Sequence, residues 1–160
     1  MNKSLTVMLG MACLVGVSSA ARAQTLDAPM GVSMVVAAEC TITSTAMAFT
    51  GTGLIDANLV ATADLTVQCT PGTPYAIALS NGASGTATDA MRQMTSGANT
   101  VDYMIYQDAA NTLPWSPTDT LVTPVATGAD EIITAYGTVL AGQNVPTGTY
   151  ADSVLATITY

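Results

Sequence analysis

The sequence predicts an all-β sandwich, and three features of it carry that prediction. Short segments alternate apolar and polar residues with period two, as strands with one buried face do. Stretches rich in Gly and Pro separate these segments at intervals typical of sandwich turns. No window after residue 23 shows the period of an amphipathic helix. Because no internal repeat or charged linker divides the chain, we expect one folded domain.

The first element in chain order is a predicted secretory signal peptide over residues 1–23. Lys3 precedes an apolar run over residues 5–17, and Ala21, Arg22 and Ala23 form a small-residue cleavage site. The apolar run is shorter than the roughly 20 residues that a bilayer-spanning helix needs, which argues against a membrane anchor. We therefore expect export and cleavage after Ala23.

The second element is an apolar stripe within residues 24–38. Every second residue of this segment is apolar, which is typical of a strand that buries one face. Residues 24–36, if extended, would reach about 43 Å at roughly 3.3 Å per residue. Two readings stay open: the stripe is the first strand of its own domain, or it fills the core of a neighbour. Its members are Leu26, Ala28, Met30, Val32, Met34 and Val36.

Residues 39–160 are predicted to form the sandwich itself. Alternation puts Leu65, Val67 and Cys69 on one face of their strand, whereas residues 51–61 are expected to be a loop or an irregular edge. Strands are expected at residues 40–49, 63–69, 75–80, 91–95, 101–108, 131–139 and 149–160.

Two cysteines, Cys40 and Cys69, remain once Cys13 leaves with the signal peptide. An even pair in an exported protein is most simply a disulfide, with a free buried pair or an intermolecular bridge as alternatives. Closing a loop of about 30 residues would stabilise the fold by roughly 3–4 kcal/mol in the chain-entropy model.

Charge and residue usage exclude several classes of function. After residue 23 the chain holds one cation, Arg92, and 11 acids, a net charge of −10. It therefore lacks the basic footprint of a nucleic-acid-binding protein. The absence of His, and of Lys after residue 3, removes the common nucleophile–base pairs, Schiff-base lysines and histidine metal sites. We predict no enzymatic activity, no cofactor, no metal and no small-molecule substrate.

Several single residues have both a functional and a structural interpretation. We expect Arg92 to form an ion pair or a tyrosine stack within the domain, and Trp115 to anchor a loop instead of binding a sugar. A carboxylate pair could hydrolyse glycosides, but no spacing places two acids together in a cleft. We therefore expect solvated charges at Asp102, Asp108, Asp119, Asp130 and Glu131.

The last predicted strand, residues 149–160, raises the question of a missing neighbour. In an immunoglobulin-like sandwich a seventh strand normally follows the sixth and lies beside it. If residues 149–160 are the sixth strand, the sandwich lacks an element and leaves an apolar groove open to a partner. The spacing predicts that the groove face carries Val154, Ala156, Ile158 and Tyr160.

Three stretches resemble spore coat U domains, the domains of Csu-type pilins in archaic chaperone–usher pili. "YGTVLAGQNVPTGTYADSVLATITY" (residues 136–160) resembles the end of that domain, and "MRQMTSGANTVDYMIYQDAANTLPW" (91–115) resembles its middle. "VVAAECTIT" (35–43) resembles the region of its first cysteine, with Cys69 where the second is expected. Thr138 departs from the pattern, because many relatives carry a basic residue there.

The resemblance implies an incomplete immunoglobulin-like sandwich that a strand from a neighbouring subunit completes. The stripe in residues 24–38 would be this donor strand, and the groove would bind a periplasmic chaperone before assembly. Basic residues of the chaperone would grip the carboxylate of Tyr160. The implied partners are identical or related pilins, the chaperone and an outer-membrane usher. The implied role is a cell-surface pilus for adhesion and biofilm formation; the alternative is a non-filamentous spore-coat or extracellular matrix protein.

Overall fold

The computed structural model describes residues 22–51, 53–123 and 125–160, and their regular secondary structure is all β. Residues 1–21, which hold most of the predicted signal peptide, lie outside this range. The chain divides into two units, the first ending at Met34 and the second spanning Val35–Tyr160. In the first unit, residues 22–34 contain no strand and every side chain is exposed. No helix in the described ranges is long and apolar enough to cross a bilayer.

The second unit is an antiparallel sandwich of two sheets. Its strands are β1 (Cys40–Ser44), β2 (Leu59–Cys69), β3 (Tyr75–Leu79), β4 (Arg92–Ser96), β5 (Asn99–Tyr106), β6 (Leu121–Thr123), β7 (Glu131–Val139) and β8 (Ala156–Thr159). The larger sheet has the strand order β1-β2-β7-β5-β4, and the smaller has the order β6-β3-β8. The edge strands are therefore β1 and β4 in the larger sheet and β6 and β8 in the smaller.

Inward-facing residues of both sheets form one buried core. Ile77 of the smaller sheet is fully buried, and Val67 and Val139 of the larger sheet are each 1 % exposed. The face expected for Leu65, Val67 and Cys69 is confirmed, because all three are buried. The same alternation buries Tyr75, Ile77 and Leu79 of β3 and Val101, Tyr103 and Ile105 of β5. The period-two pattern therefore predicted correctly which residues face the core of the sandwich.

A disulfide joins Cys40 to Cys69, as the cysteine count predicts. The two residues are direct partners in the β1–β2 ladder, at the start of β1 and the end of β2. Their sequence separation of 29 residues makes the closed loop long enough to restrict the unfolded chain substantially.

Cys69→Ser is expected to lower the free energy of unfolding by about 3 kcal/mol, because it releases this loop in the unfolded state. Trypsin can report the change, since Arg92 is the single Lys or Arg after residue 23 and is 1 % exposed. Cleavage at Arg92 requires the domain to open, so the variant should be cut about 100-fold faster. Thr43→Ser, an exposed change on the partner strand β1, should leave the rate unaltered. Equal rates for Cys69→Ser and the native chain would contradict the expectation.

Several strand boundaries differ from the sequence-based expectation. The first strand stops at Ser44 instead of residue 49, and the last occupies only Ala156–Thr159 instead of residues 149–160. β2 begins at Leu59, inside the segment expected to be a loop, because Ala61 and Ala63 dilute the apolar contrast of its first half. β6 was not expected, since three residues are too few to show a period.

Candidate functional site

An open groove of about 890 Å³ runs into the core of the second unit. One wall is the segment that follows β1, residues 44–49, and the other is the segment that leads into β8, residues 145–154. The fold is thus an immunoglobulin-like sandwich that lacks a strand beside β8. Among the described residues, β8 pairs only with β3, so its opposite edge carries free backbone donors and acceptors.

The floor of the groove is apolar and belongs to the buried core. Both sheets contribute to it, the smaller one through the end of β3 and the larger one through β2, β5 and β7. Such a surface is costly to leave open to water, because apolar area contributes roughly 25 cal/mol per Å² when it is covered. The floor residues are Leu65, Leu79, Val101, Ile105, Ala135 and Val139.

The wall after β1 inserts two large side chains over Gly137 of β7. A Cβ atom at Gly137 would clash with Met47 Sδ and would lie 2.8 Å from Phe49 Cζ. The glycine is therefore required for close packing, and a glycine inside a strand pattern is the sequence signal that could have revealed it. The Phe49 ring meets Tyr103 edge-on, with 6.1 Å between ring centroids. This packing explains why residues 46–49 leave the β1 ladder.

The wall at β8 contains two of the four residues predicted for the groove face. Val154, Ala156 and Ile158 are partly buried against the core, and the first two line the groove. Tyr160 follows the end of β8 and is 56 % exposed. The structure therefore brings the first three together and leaves Tyr160 at the surface.

The apolar stripe of residues 24–38 is fully exposed. Met30, Val32 and Met34 are 86 %, 87 % and 84 % exposed, and residues 22–39 contain no strand. This is an unusual environment for a row of large apolar side chains, which are normally buried. The protein thus presents an uncovered apolar strand pattern and an uncovered apolar groove.

These features have known counterparts. The family model of the Spore Coat Protein U domain matches residues 26–157. The chain belongs to this family. Protein U of Myxococcus xanthus is 38 % identical over 110 residues, which cover 64 % of this chain and 62 % of that protein. This spore coat U chain therefore spans less than two thirds of that relative's length.

A solved structure of a complex between two proteins contains the same fold. It is the CsuC-CsuE chaperone-tip adhesion subunit pre-assembly complex from archaic chaperone-usher Csu pili of Acinetobacter baumannii. The match has a TM-score of 0.55 and 24 % sequence identity, and covers 78 % of this chain and 40 % of that one. The all-β, strand-deficient fold expected from the sequence is confirmed.

A polar cluster lies in the groove wall of this spore coat U domain, in the segment before β8. The Tyr103 hydroxyl donates to Asp152 Oδ2 at 2.6 Å, and Asp152 Oδ1 accepts from the amides of Ala83 and Ser153 at 2.7 Å each. Burial, and then the hydrogen bond to Asp152, raise the pKa of Tyr103. A Cβ atom at Gly82, which has φ +89°, would clash with this carboxylate. Sequence reasoning missed Asp152, because its partners lie 49 and 69 residues away.

Arg92 is buried inside the domain, where its guanidinium donates to backbone carbonyls. Nε reaches the carbonyl of Ser80 at 2.9 Å, and Nη2 reaches those of Leu79 at 3.3 Å and Trp115 at 2.6 Å. Burial lowers the pKa of Arg92, and the nearby Tyr103 and Asp152 oppose this. An intradomain role was expected, but the hydrogen-bond partners are carbonyls and not the carboxylate of an ion pair. Trp115 is the expected loop anchor: it is fully buried and donates Nε1–H to the Ile77 carbonyl at 2.9 Å.

Two of the singled-out acids, Asp108 and Glu131, serve separate local hydrogen-bond networks. Asp108 accepts from the amides of Thr112 and Leu113, which lowers its pKa despite an opposing desolvation effect. Glu131 accepts from Tyr75 and from Thr127, which lowers its pKa. Within the described ranges, no group of three or more His, Cys, Asp or Glu side chains could hold a metal ion.

Proposed function

We propose that this protein is a structural pilin subunit that polymerises head-to-tail by donating residues 24–38 to the groove of the next subunit. The observation that carries the proposal is the coexistence of an open apolar groove and an exposed apolar stripe in one chain. Strand addition of this kind would complete the unpaired edge of β8 with backbone hydrogen bonds and fill the groove with alternate side chains.

Lengths and energies support this assignment of the donor segment. An extended segment of about 43 Å can follow the whole edge of a sandwich. Six apolar side chains, at about 1.5–3 kcal/mol each, contribute roughly 9–18 kcal/mol before ordering costs, with Ala28 at the low end. An interaction of this size accounts for a stable fibre without covalent bonds between subunits.

The anchoring of the donor segment favours insertion into a neighbour. Thr70 holds the last residues before β1: its amide donates to the Glu39 carbonyl at 2.8 Å, and its hydroxyl donates to the Ala37 carbonyl at 3.2 Å. Cys40 follows at once with its disulfide. Insertion into the subunit's own groove would need a chain reversal here, yet residues 37–39 contain no Gly, Pro, Asn or Asp. Donation to a second subunit repeats head-to-tail and builds an open filament.

The remaining parts of the proposal concern export and partners. Residues 1–23 would direct the chain to the periplasm, residues 24–38 would be the donor segment and residues 39–160 the pilin domain. A periplasmic chaperone would cover the groove along Val154, Ala156 and Ile158 and bind the Tyr160 carboxylate. An outer-membrane usher would then assemble subunits into a surface pilus for adhesion and biofilm formation. The chaperone complex of the solved Csu subunit supports this order of partners.

A non-filamentous coat or matrix protein is the second candidate function. The name of the family, which refers to a spore coat protein, supports it. Both candidates use the same domain, so the assembled product must distinguish them. A length-graded ladder of SDS-resistant multimers supports the pilin. If the protein were retained in the matrix but ran only as a monomer, with no multimer ladder, the result would support the coat function.

Removal of residues 157–160 tests the groove directly. We expect the truncated subunit to lose chaperone capture and to be degraded, because three of the four β8 residues and their ladder with β3 are removed. Co-purification with the co-expressed chaperone measures the effect, with Thr43→Ser as an exposed control on β1. If the truncated subunit co-purified at the native level, β8 would not be the recognition element.

A further inference from the structure

We propose that Met30 and Met34 form an oxidant-sensitive modification site that determines whether this subunit can donate its strand. The inference rests on the proposed function, in which both side chains enter the groove of a neighbour. The site would react with a peroxide, and its modified form would be excluded from the filament.

Both thioethers are open to attack before assembly. Met30 is 86 % exposed and Met34 is 84 % exposed, so solvent reaches each sulfur. They are four residues apart and therefore point to the same face of an extended strand, about 13 Å from each other. The rate at which a methionine is oxidised rises with the solvent exposure of its sulfur. Exposed methionines are therefore the first to react.

The methionines of the second unit, in contrast, are better protected. Met47 and Met94 line the groove and are partly buried against the core. Met91 and Met104 are also partly buried, and the sulfur of Met104 accepts a hydrogen bond from the Tyr106 hydroxyl at 3.1 Å. Limited oxidation should therefore modify the donor stripe before it modifies the groove.

The reaction is a two-electron oxygen transfer. The thioether sulfur attacks one oxygen of hydrogen peroxide, the O–O bond breaks and a sulfur–oxygen bond forms. The sulfur is oxidised to the sulfoxide, and the second peroxide oxygen leaves as water after proton transfer. The product side chain is polar and carries a strong hydrogen-bond acceptor.

The modification would oppose strand donation because the groove floor is apolar. A sulfoxide buried against floor residues such as Leu65 and Val139 loses its hydration, and these apolar side chains offer no donor in return. The expected loss of groove occupancy is about tenfold or more for each buried sulfoxide. Once inserted, the same methionines are covered, so completed filaments should resist oxidation that disables free subunits.

The test treats the native subunit–chaperone complex with graded hydrogen peroxide before assembly. Peptide mass spectrometry should find Met30 and Met34 oxidised first, and the yield of SDS-resistant multimers should fall about tenfold or more. A double variant, Met30→Leu and Met34→Leu, keeps the apolar stripe and should retain its multimer yield after the same treatment. A methionine sulfoxide reductase should restore the native subunit.

Two results would overturn the proposal. One is unchanged multimer yield from native subunits shown to carry both sulfoxides. The other is an equal loss in the double-leucine variant, which would place the damage outside the stripe. An untreated Val32→Asp subunit separates this question from the function itself: if it assembles normally, strand donation is wrong whatever oxidation does.

Discussion

Replacing Val32 with aspartate is expected to stop filament growth at the subunit that carries it. Val32 is 87 % exposed and lies in the middle of the donor stripe, so the substitution removes nothing from the subunit's own core. In a neighbour's groove, however, the carboxylate would lose its hydration against apolar side chains, at a cost of several kcal/mol. The variant should still fold, form the Cys40–Cys69 disulfide and bind chaperone, while multimer ladders fall by about 100-fold or more.

Ser33→Asp provides the matched control for this experiment. Ser33 is adjacent in the chain, but strand faces alternate, so its side chain would point away from the groove. The same charge at this position should have a much smaller effect on the multimer ladder. If Val32→Asp instead destroyed the subunit–chaperone complex while Ser33→Asp did not, the stripe would belong to its own domain and strand donation would be wrong.

The sandwich interior could be predicted from the sequence because its strands bury alternate residues. Tyr75, Ile77 and Leu79 alternate cleanly with small residues, and the structure buries all three. The alternating pattern gave the wrong strand boundary where apolar residues pack outside the sheet ladder. Met47 and Phe49 fit a strand pattern, but they leave the ladder to pack over Gly137, about 90 residues further on. The alternating pattern shows which face of a strand is buried, but not which part of the chain packs against that face.

The buried face of the last strand was predictable from the sequence, whereas the polar residues of the groove wall were not. Val154, Ala156 and Ile158 follow from spacing alone, and the structure places all three against the core. In the sequence, Asp152 falls within the last predicted strand and shows no sign of a partner. Its role depends on Tyr103 and on the amide of Ala83, and those partners come together only in the folded sandwich. Long-range hydrogen bonds leave no local signal of the kind that period-two burial does.

Replacing Arg92 with methionine is expected to lower the free energy of unfolding by about 3 kcal/mol or more. Methionine keeps an unbranched apolar stem but donates no hydrogen bond, so the Leu79 and Trp115 carbonyls lose a buried donor. Each unsatisfied buried acceptor costs about 1–3 kcal/mol. Leu79 also pairs with Ala156 of β8, so loss of Arg92 should loosen the groove wall and weaken chaperone capture as well.

Urea denaturation of the mature subunit measures the loss at Arg92, and chaperone co-purification measures the effect on the groove. Thr95→Met is the matched control, because Thr95 is exposed on the same strand and its replacement should change stability by about 0.5 kcal/mol or less. Arg92→Lys should fall between the two, since an ammonium restores charge and donors but not the planar geometry that reaches several carbonyls at once. An unchanged urea midpoint for Arg92→Met would show that the guanidinium does not hold this end of the sandwich together. A lower midpoint with normal chaperone capture would show that β8 keeps its position without the guanidinium.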